Sequence, residues 1–372
     1  MENKDHSLLP AKLTYDTAML WDTQNVYADE NRRFQGIPGI ECTKGNRYFA
    51  VFYTGKETEE AGNFLLVFRG EVGEDGNPAF GRAFMAVLPP EGVRCFDPCL
   101  WISPDGKLRL FWAQSYSFFD GRIGVWMAVC DDPDAETMRF SEPRRIANGI
   151  MMNKPIVLSS GEWLLPCAIW ISSDSELNKL PEERFSNVYC SKDNGETFFL
   201  LGHSAYEKRL IDEHMMYEKR DGSVRMLIRA GNGIGEAISY DKGKTWQGEQ
   251  DSGLGGPCSR FCIRRLKSGR MLLVNHYHFK GRNNLTAMLS DDDGATWTSH
   301  LLLDERDSVS YPDAVESPDG YINIIYDRNR YSDKEILLAR ITEEDILAET
   351  LVHRGSALKL LVNKAFGKKE GK

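Results

Sequence analysis

The segment Ser191-Lys192-Asp193-Asn194-Gly195-Glu196-Thr197-Phe198 shares its pattern with residues 239–246 (SYDKGKTW) and 290–297 (SDDDGATW). Each copy reads Ser-x-Asp-x-Gly-x-Thr-aromatic, and we call this motif an Asp-box. The Asp can bond its own backbone and the Gly accepts a positive φ, so both suit a tight turn between two strands. Three copies, about fifty residues apart, are typical of a repeat architecture whose unit is one sheet.

A second repeat supports the first. Short turns that contain glycine precede apolar, β-branched and aromatic segments six times, at Lys44-Gly45-Asn46, Asp105-Gly106, Ser160-Gly161, Asp221-Gly222, Ser268-Gly269 and Asp319-Gly320. Such segments are typical of strands inside a sheet. Six units predict an all-β fold, a six-bladed β-propeller with four antiparallel strands per blade around a central channel. A β-sandwich with coincidental turns is the alternative.

The domain organisation follows from the length and from the last segment. We expect residues 1–372 to form a single propeller domain with a core over about residues 30–340. From Thr342 the sequence TEEDILAETL has the capping residue and first-turn acids of an amphipathic helix. Residues 342–372 are therefore predicted to form a C-terminal helix and tail.

Composition excludes several classes of function. A formal net charge of −9 disfavours nucleic acid and an anionic membrane as partners, and no apolar run is long enough to span a bilayer. No zinc, nucleotide or flavin motif is present, so we expect no cofactor and no metal. Eight cysteines without a CxxC pair, and an N-terminus without the apolar stretch of a signal peptide, indicate a cytoplasmic protein, or a periplasmic or secreted one if a leader was trimmed. The oligomeric state is left open.

Asp-boxes on a six-bladed propeller resemble the sialidase (neuraminidase) superfamily, and the resemblance covers most of residues 30–330. Members of that superfamily carry an arginine triad that grips a carboxylate, a tyrosine nucleophile assisted by a glutamate, and an acid/base carboxylate. The resemblance implies a carbohydrate or glycoconjugate substrate. Polar side chains at the ends of apolar strands are where we expect these groups, since an unpaired buried charge is expensive.

The nucleophile pair is implied by two segments. Ser310-Tyr311-Pro312-Asp313 resembles the stretch that bears the nucleophilic tyrosine, and Glu213 resembles the glutamate that activates it. A neutral phenol can approach an anomeric centre beside a carboxylate, where an anionic nucleophile would be repelled, and sialidases are an exception to the two-carboxylate rule. A turn-capping role is the alternative for Tyr311.

The arginine triad is matched in part. Arg229 and Arg282 resemble the second and third arginines, whose forked guanidinium groups suit a carboxylate. The Arg-Ile-Pro motif that supplies the first arginine is replaced by Gly36-Ile37-Pro38. Arg33 and Arg260 are the candidates to reach the same space. Loss of the arginine at residue 36 argues against ordinary sialic acid specificity.

The acid/base position falls in an acidic loop. Counting back from the strand FLLVFR places Glu60 at the position of the family's aspartate. A glutamate can serve as a general acid if its site raises the pKa. A solvated acidic loop is the alternative.

Further polar residues at strand ends are candidates for contacts with sugar hydroxyls: Asp97, Gln114, Lys154, His276 and Asp327. Taken together, the resemblance implies a glycoside hydrolase that acts on a terminal acidic or modified sugar through a covalent intermediate on Tyr311. A uronate-glycan hydrolase or lyase on the same fold and a non-catalytic glycan-binding propeller are the alternatives.

Overall fold

The computed structural model describes residues 9–22, 24–116, 123–170, 180–231 and 233–368. These residues form six antiparallel sheets and two short α-helices. The first elements are strand β1 (Lys12–Thr14) and helix α1 (Thr17–Leu20). The six-bladed propeller predicted from the repeated turns is confirmed.

Each blade contains four strands that are consecutive in the chain, and blade 1 has a fifth, β1. Blade 1 contains β2 (Phe34–Cys42), β3 (Tyr48–Gly55), β4 (Phe64–Val72) and β5 (Pro78–Leu88). Blade 2 contains β6 (Val93–Ile102), β7 (Leu108–Tyr116), β8 (Gly124–Cys130) and β9 (Arg144–Asn148). Blade 3 contains β10 (Ile156–Val157), β11 (Trp163–Ala168), β12 (Ser186–Ser191) and β13 (Phe199–Ser204), with a 3-10 turn at Pro181–Glu183.

The second half of the ring repeats this plan. Blade 4 contains β14 (Met215–Glu218), β15 (Val224–Ala230), β16 (Gly233–Ser239) and β17 (Gln247–Asp251). Blade 5 contains β18 (Cys262–Arg265), β19 (Met271–His276), β20 (Leu285–Ser290) and β21 (Thr298–Asp304). Blade 6 contains β22 (Val309–Glu316), β23 (Ile322–Arg328), β24 (Glu335–Ile341) and β25 (Ala357–Lys364), with helix α2 (Glu343–Ala348) before its last strand.

The first strand of each blade lies nearest the axis. Strand β2 contacts both β6 and β22, and β14 contacts both β10 and β18, so these inner strands meet around the channel. The ring closes where β2 packs against β22 and β23. Buried apolar side chains fill the space between neighbouring blades, as in the cluster that joins Phe34, Leu100 and Trp112.

The two ends of the chain differ from the expected organisation. Strand β1 adds a fifth, outermost strand to blade 1 by pairing with β5. Helix α2 is present and starts with a capping box between Thr342 and Asp345. The chain then continues into β25, which pairs with β24 as the fourth strand of blade 6. The predicted boundary near residue 340 therefore needs correction, because the propeller core extends to Lys364.

All repeated turns lie at one end of the propeller. The six glycine turns join first strands to second strands, and the three Asp-boxes join third strands to fourth strands in blades 3, 4 and 5. In the first Asp-box, Gly195 N donates to Ser191 Oγ at 2.8 Å and Thr197 N donates to Asp193 Oδ1 at 2.9 Å. Because the strands are antiparallel, the opposite end is built from the starts of first strands and the ends of second strands. We call this the open end.

A buried lysine ties the inner strands together. Lys154 Nζ donates to Ile40 O at 2.6 Å and Leu100 O at 2.7 Å, and lies 3.0 Å from a carboxylate oxygen of both Glu41 and Asp313. Although burial alone would lower it, these two carboxylates raise the pKa of Lys154. One ammonium group thus joins blades 1, 2, 3 and 6.

We predict that Lys154→Met destabilises the fold by about 3–5 kcal/mol, because it leaves the buried carboxylate of Glu41 without its cation and that of Asp313 with only Arg260, 3.8 Å away. Denaturant unfolding measured by tryptophan fluorescence checks this. The exposed Lys208, changed to Met, is the matched control and should shift stability by less than about 0.5 kcal/mol. Equal midpoints for the two variants would contradict the role given to Lys154.

Candidate active site

A tyrosine and a glutamate from different blades meet at the open end. Tyr311 Oη donates to Glu213 Oε1 at 2.6 Å. Arg229 Nη1 lies 2.7 Å from Tyr311 Oη and 2.5 Å from Glu213 Oε1. All three side chains are buried, and Glu213 Oε2 has no hydrogen-bond partner among the described residues. The structure therefore brings together the three residues that the sequence placed in the nucleophile pair and the second arginine position.

The ionisation of this group follows from its surroundings. Burial, and then the charge of Glu213, raise the pKa of Tyr311 despite the opposing effect of Arg229 and two further arginines. The phenol is neutral at neutral pH, and the carboxylate of Glu213 is positioned to take its proton. The carbonyl of Cys258 accepts hydrogen bonds from Arg229 at 3.0 Å and from Arg282 at 2.9 Å, which fixes these two arginines relative to each other.

Tyr311 lies at a bulge in its strand that recurs in two other blades. Ile37, Asp97 and Tyr311 each precede a proline, each has a left-handed φ of 48–55°, and each lies at a register shift between the first and second strands. A left-handed non-glycine residue costs about 1–3 kcal/mol and is concentrated at functional sites. An x-Pro pair near the start of an inner strand is therefore the sequence signal for this bulge.

A buried aspartate holds this strained backbone in place. Asp327 Oδ2 accepts hydrogen bonds from Ile37 N at 2.8 Å and from Arg330 Nε at 2.9 Å. Its other oxygen accepts one from Ser310 Oγ at 2.7 Å. Asp327 was predicted to contact a sugar hydroxyl, but the structure surrounds both of its oxygens with protein donors. Its role here is to position its neighbours.

Three guanidinium groups surround the ring of Tyr311. Arg330, Arg282 and Arg229 lie 4.1, 5.4 and 6.0 Å from the ring centroid, within the range of cation–π contacts. Arg330 was not identified from the sequence, although it follows Asp327 by only three positions. Neither candidate for the missing arginine lies here: Arg33 pairs with Glu57, and Arg260 donates to Pro38 O at 3.3 Å near the axis.

The carboxyl groups of the site are arranged differently from the expectation. Glu60 Oε1 accepts hydrogen bonds from the backbone of Glu57 at 3.0 Å and of Thr58 at 3.3 Å, so its carboxylate is turned into its own loop. The preceding residue Glu59 instead lies 3.7 Å from Arg330 and 3.8 Å from Arg94. Glu59, and not Glu60, is therefore the carboxylate of this loop that lies beside the arginines.

Asp97 is a further carboxyl group at the open end, in addition to Glu213 and Glu59. It is buried, and its electrostatic neighbours include Arg94, Glu59 and Glu213. Burial raises the pKa of Asp97 to about 7, against the opposing effect of Arg94. Asp97 makes no hydrogen bond through its side chain to any described residue, so its proton is not committed to the protein.

The remaining candidates have structural contacts. Lys154 is fully occupied at the axis, as described above. Gln114 accepts hydrogen bonds from Ala11 N at 3.2 Å and Trp112 Nε1 at 2.9 Å, and thereby holds the N-terminal segment against blade 2. Neither side chain is available at the open end to contact a sugar.

His276 borders the site at the end of β19. Its Nδ1 lies 2.7 Å from Asn283 O, and its Nε2 has no partner among the described residues. Burial lowers the pKa of His276 to about 4, so the ring is neutral at neutral pH. Arg282 and Asp327 are its charged neighbours.

Other kinds of site are not found in the described part of the chain. No group of three or more His, Cys, Asp or Glu side chains there is placed to hold a metal ion. No helix there has the length and apolar character needed to cross a bilayer. All eight cysteines lie in described segments and are free thiols.

Comparisons with known proteins agree with this architecture. Residues 59–324 match the BNR repeat-like domain family, so the chain belongs to that family. No curated protein matches the sequence. Among solved structures, the fold is similar to that of the Hadza microbial sialidase Hz136, with a TM-score of 0.62, 18% identity, and coverage of 80% of this chain and 64% of that one. The chain thus spans less than two thirds of that sialidase.

Two further structures show the same fold. A protein of unknown function from Dyadobacter fermentans has a TM-score of 0.63 and 18% identity, with coverage of 82% of this chain and 92% of that one. The leech intramolecular trans-sialidase has a TM-score of 0.65 and 12% identity, with coverage of 86% and 70%. At these identities the likeness establishes the sialidase-like propeller fold alone.

We predict that Asp97→Asn stabilises the protein relative to wild type as the pH rises from about 4 to about 7. The folded-state pKa of about 7 lies above the ordinary value of 3.8, so ionisation of Asp97 destabilises the wild-type fold over this interval. Each pKa unit corresponds to about 1.4 kcal/mol. Thermal unfolding at pH 4 and pH 8 checks this, with exposed Asp307→Asn as the control. Parallel stability curves for the wild type and Asp97→Asn would contradict the raised pKa.

Proposed function

We propose that this protein is a retaining, sialidase-like glycoside hydrolase that removes a terminal acidic sugar through a covalent intermediate on Tyr311. The observation that carries the proposal is the 2.6 Å hydrogen bond from Tyr311 to Glu213 in a buried site lined by guanidinium groups. A phenol, a carboxylate base and a fixed cation in direct contact are the parts of an activated oxygen nucleophile.

The first chemical step uses all three groups. The phenolic oxygen of Tyr311 forms a bond to the anomeric carbon while its proton passes to Glu213. Arg229, within 2.7 Å of the phenolic oxygen, stabilises the negative charge that develops there. The bond from the anomeric carbon to the leaving oxygen breaks in the same step. The raised pKa of Tyr311 means that the attack depends on this base rather than on a free phenolate.

The proton for the leaving oxygen is assigned to Asp97. A general acid must hold its proton near the working pH, and a pKa of about 7 meets this requirement. Glu60, expected in this role from the sequence, has its carboxylate bound to its own loop. In the second step Asp97 takes a proton from water, and the water oxygen forms a bond to the anomeric carbon. The bond from that carbon to Tyr311 Oη breaks, Glu213 returns its proton to the phenolic oxygen, and the sugar is released. Two inversions give net retention.

The substrate class follows from charge. Three guanidinium groups beside a nucleophile favour a sugar that carries a carboxylate next to its anomeric carbon. The Hadza and leech proteins of the same fold are a sialidase and a trans-sialidase by description. A uronate glycan is the second acidic class, and a glycan-binding propeller without turnover is the outcome if no glycoside is cleaved.

We predict that Tyr311→Phe abolishes turnover but retains the fold and ligand binding, because the ring still packs while the nucleophilic oxygen is lost. Glu213→Gln should lower kcat roughly 10²–10⁴-fold, the usual contribution of a general base. The double variant should be no worse than Tyr311→Phe, since the two residues act as one unit. Hydrolysis of aryl glycosides with product anomers read by NMR is the measurement. Exposed Tyr240→Phe is the control, and wild-type kinetics for Tyr311→Phe would exclude the covalent mechanism.

We also predict that Asp97→Asn slows cleavage of natural glycans much more than cleavage of aryl glycosides with acidic phenols, whose leaving groups need no proton. In the wild type the same requirement makes kcat for natural glycans fall as the pH rises through about 7. Glu59→Gln and Glu60→Gln are measured in parallel. If Glu60→Gln shows the leaving-group dependence and Asp97→Asn does not, the acid assignment to Asp97 is wrong.

A further inference from the structure

Residue 36 has no side chain, and the space beside it is occupied by an arginine from another blade. A Cβ built on Gly36 would lie 2.8 Å from Cδ of Arg330 and 2.9 Å from its Cγ and Nε. Such distances are too short for any side chain at residue 36 while Arg330 keeps its position. Gly36 does not have a left-handed φ, so glycine is required here for space and not for backbone conformation.

The guanidinium group of Arg330 is held in this space from three sides. Its Nε donates to Asp327 Oδ2 at 2.9 Å, its Nη2 donates to Ser310 Oγ at 3.3 Å, and the group lies over the ring of Tyr311. The backbone carbonyl of Arg330 also accepts a hydrogen bond from Gln35 N at 3.3 Å, directly beside Gly36. The arginine is therefore fixed to blade 1 as well as to blade 6.

One edge of this guanidinium group remains available. Arg330 Nη1 makes no hydrogen bond to a described residue, and the nearest carboxylate, that of Glu59, is 3.7 Å away. Asp327 raises the pKa of Arg330 despite burial, so the group is a permanent cation. Arg282, on the other side of the Tyr311 ring, uses only its Nη2 in a hydrogen bond to Cys258 O.

We propose that Arg330 supplies the third guanidinium of a carboxylate-binding clamp, in the space left free by Gly36, together with Arg229 and Arg282. The clamp then draws its cations from blades 4, 5 and 6, with none from blade 1. The proposal rests on the proposed function for its ligand, an acidic sugar. It also replaces the expectation that Gly36 leaves the carboxylate site incomplete.

Binding by the folded protein tests this without turnover. The probes are N-acetylneuraminic acid and glucuronic acid, each compared with its neutral methyl ester by calorimetry. Arg330→Gln should lose roughly tenfold to a hundredfold in affinity for the acid, as when a charge-assisted hydrogen bond is removed, with little change for the ester. Arg328→Gln is the matched control, because Arg328 pairs with Asp333 and Glu335 instead.

A second set of variants keeps a guanidinium group in the site but changes its position. Gly36→Ala places a methyl group against Arg330 and should weaken binding of the acid, whereas Gly81→Ala, with open space around it, should not. The double variant Gly36→Arg/Arg330→Gly should regain the preference for acid over ester. Thermal unfolding is recorded for every variant, and the comparison of Gly36→Ala with Gly81→Ala carries the test if Arg330→Gln does not fold.

Unchanged acid affinity in a folded Arg330→Gln protein, or in Gly36→Ala if Arg330→Gln does not fold, overturns the proposal. So does a wild-type protein that binds both acids no better than their esters. Failure of hydrolysis is a separate result: if the acid preference depends on Arg330 but no glycoside is cleaved, the clamp stands and the proposed hydrolase activity falls.

Discussion

The ion pairs and hydrogen bonds of Lys154 are the interaction on which the rest of the structure depends. The inner strands of a propeller converge, and their polar backbone groups near the axis need partners. The ammonium group of Lys154 satisfies carbonyls of Ile40 and Leu100 and the carboxylates of Glu41 and Asp313. Because Asp313 follows Tyr311 by two positions, this network also fixes the strand that carries the nucleophile candidate.

The strand that carries Tyr311 lies at the seam where the first and last blades meet. Two carboxylates of blade 6 cross this seam: Asp313 accepts a hydrogen bond from Ile40 N and Asp327 accepts one from Ile37 N, both at 2.8 Å. Ser310 and Asp313 are thus anchored on either side of Tyr311, which retains its left-handed φ of 55° between them. Strain of this kind persists only when surrounding contacts over-determine it. The contacts that close the ring between blades 1 and 6 are therefore also the contacts that hold Tyr311 in place.

The fold was predictable because its signals are local. Each glycine turn and each Asp-box is a motif of only a few consecutive residues. The regular spacing of these motifs along the chain indicates the number of blades. The helix at residue 343 was equally visible from its capping box, but the strand after it was not, since KLLVNK has no turn motif of its own.

The site was predictable only where a residue has a motif around it. Tyr311, Glu213, Arg229 and Arg282 come together as the resemblance implied. Glu60 was one position away from the residue that faces the arginines, because a loop does not keep the alternation of the strand from which its register was counted. The sequence does not distinguish Lys154 and Gln114 from sugar contacts, because burial of their polar groups by other parts of the chain has no signature in the sequence.

Arg330 shows most clearly what a single sequence leaves out. In the sequence, Gly36 stands where the Arg-Ile-Pro motif has an arginine, so the motif alone indicates that the chain lacks one cation of the site. In space it is a vacancy that a residue of the last blade fills, because blades 1 and 6 are adjacent although their residues are nearly three hundred positions apart. A ligand responds to where a guanidinium group lies and not to which strand it comes from. Counting arginines by motif alone therefore underestimates the positive charge of a propeller site. A glycine on one blade can make room there for an arginine from the neighbouring blade.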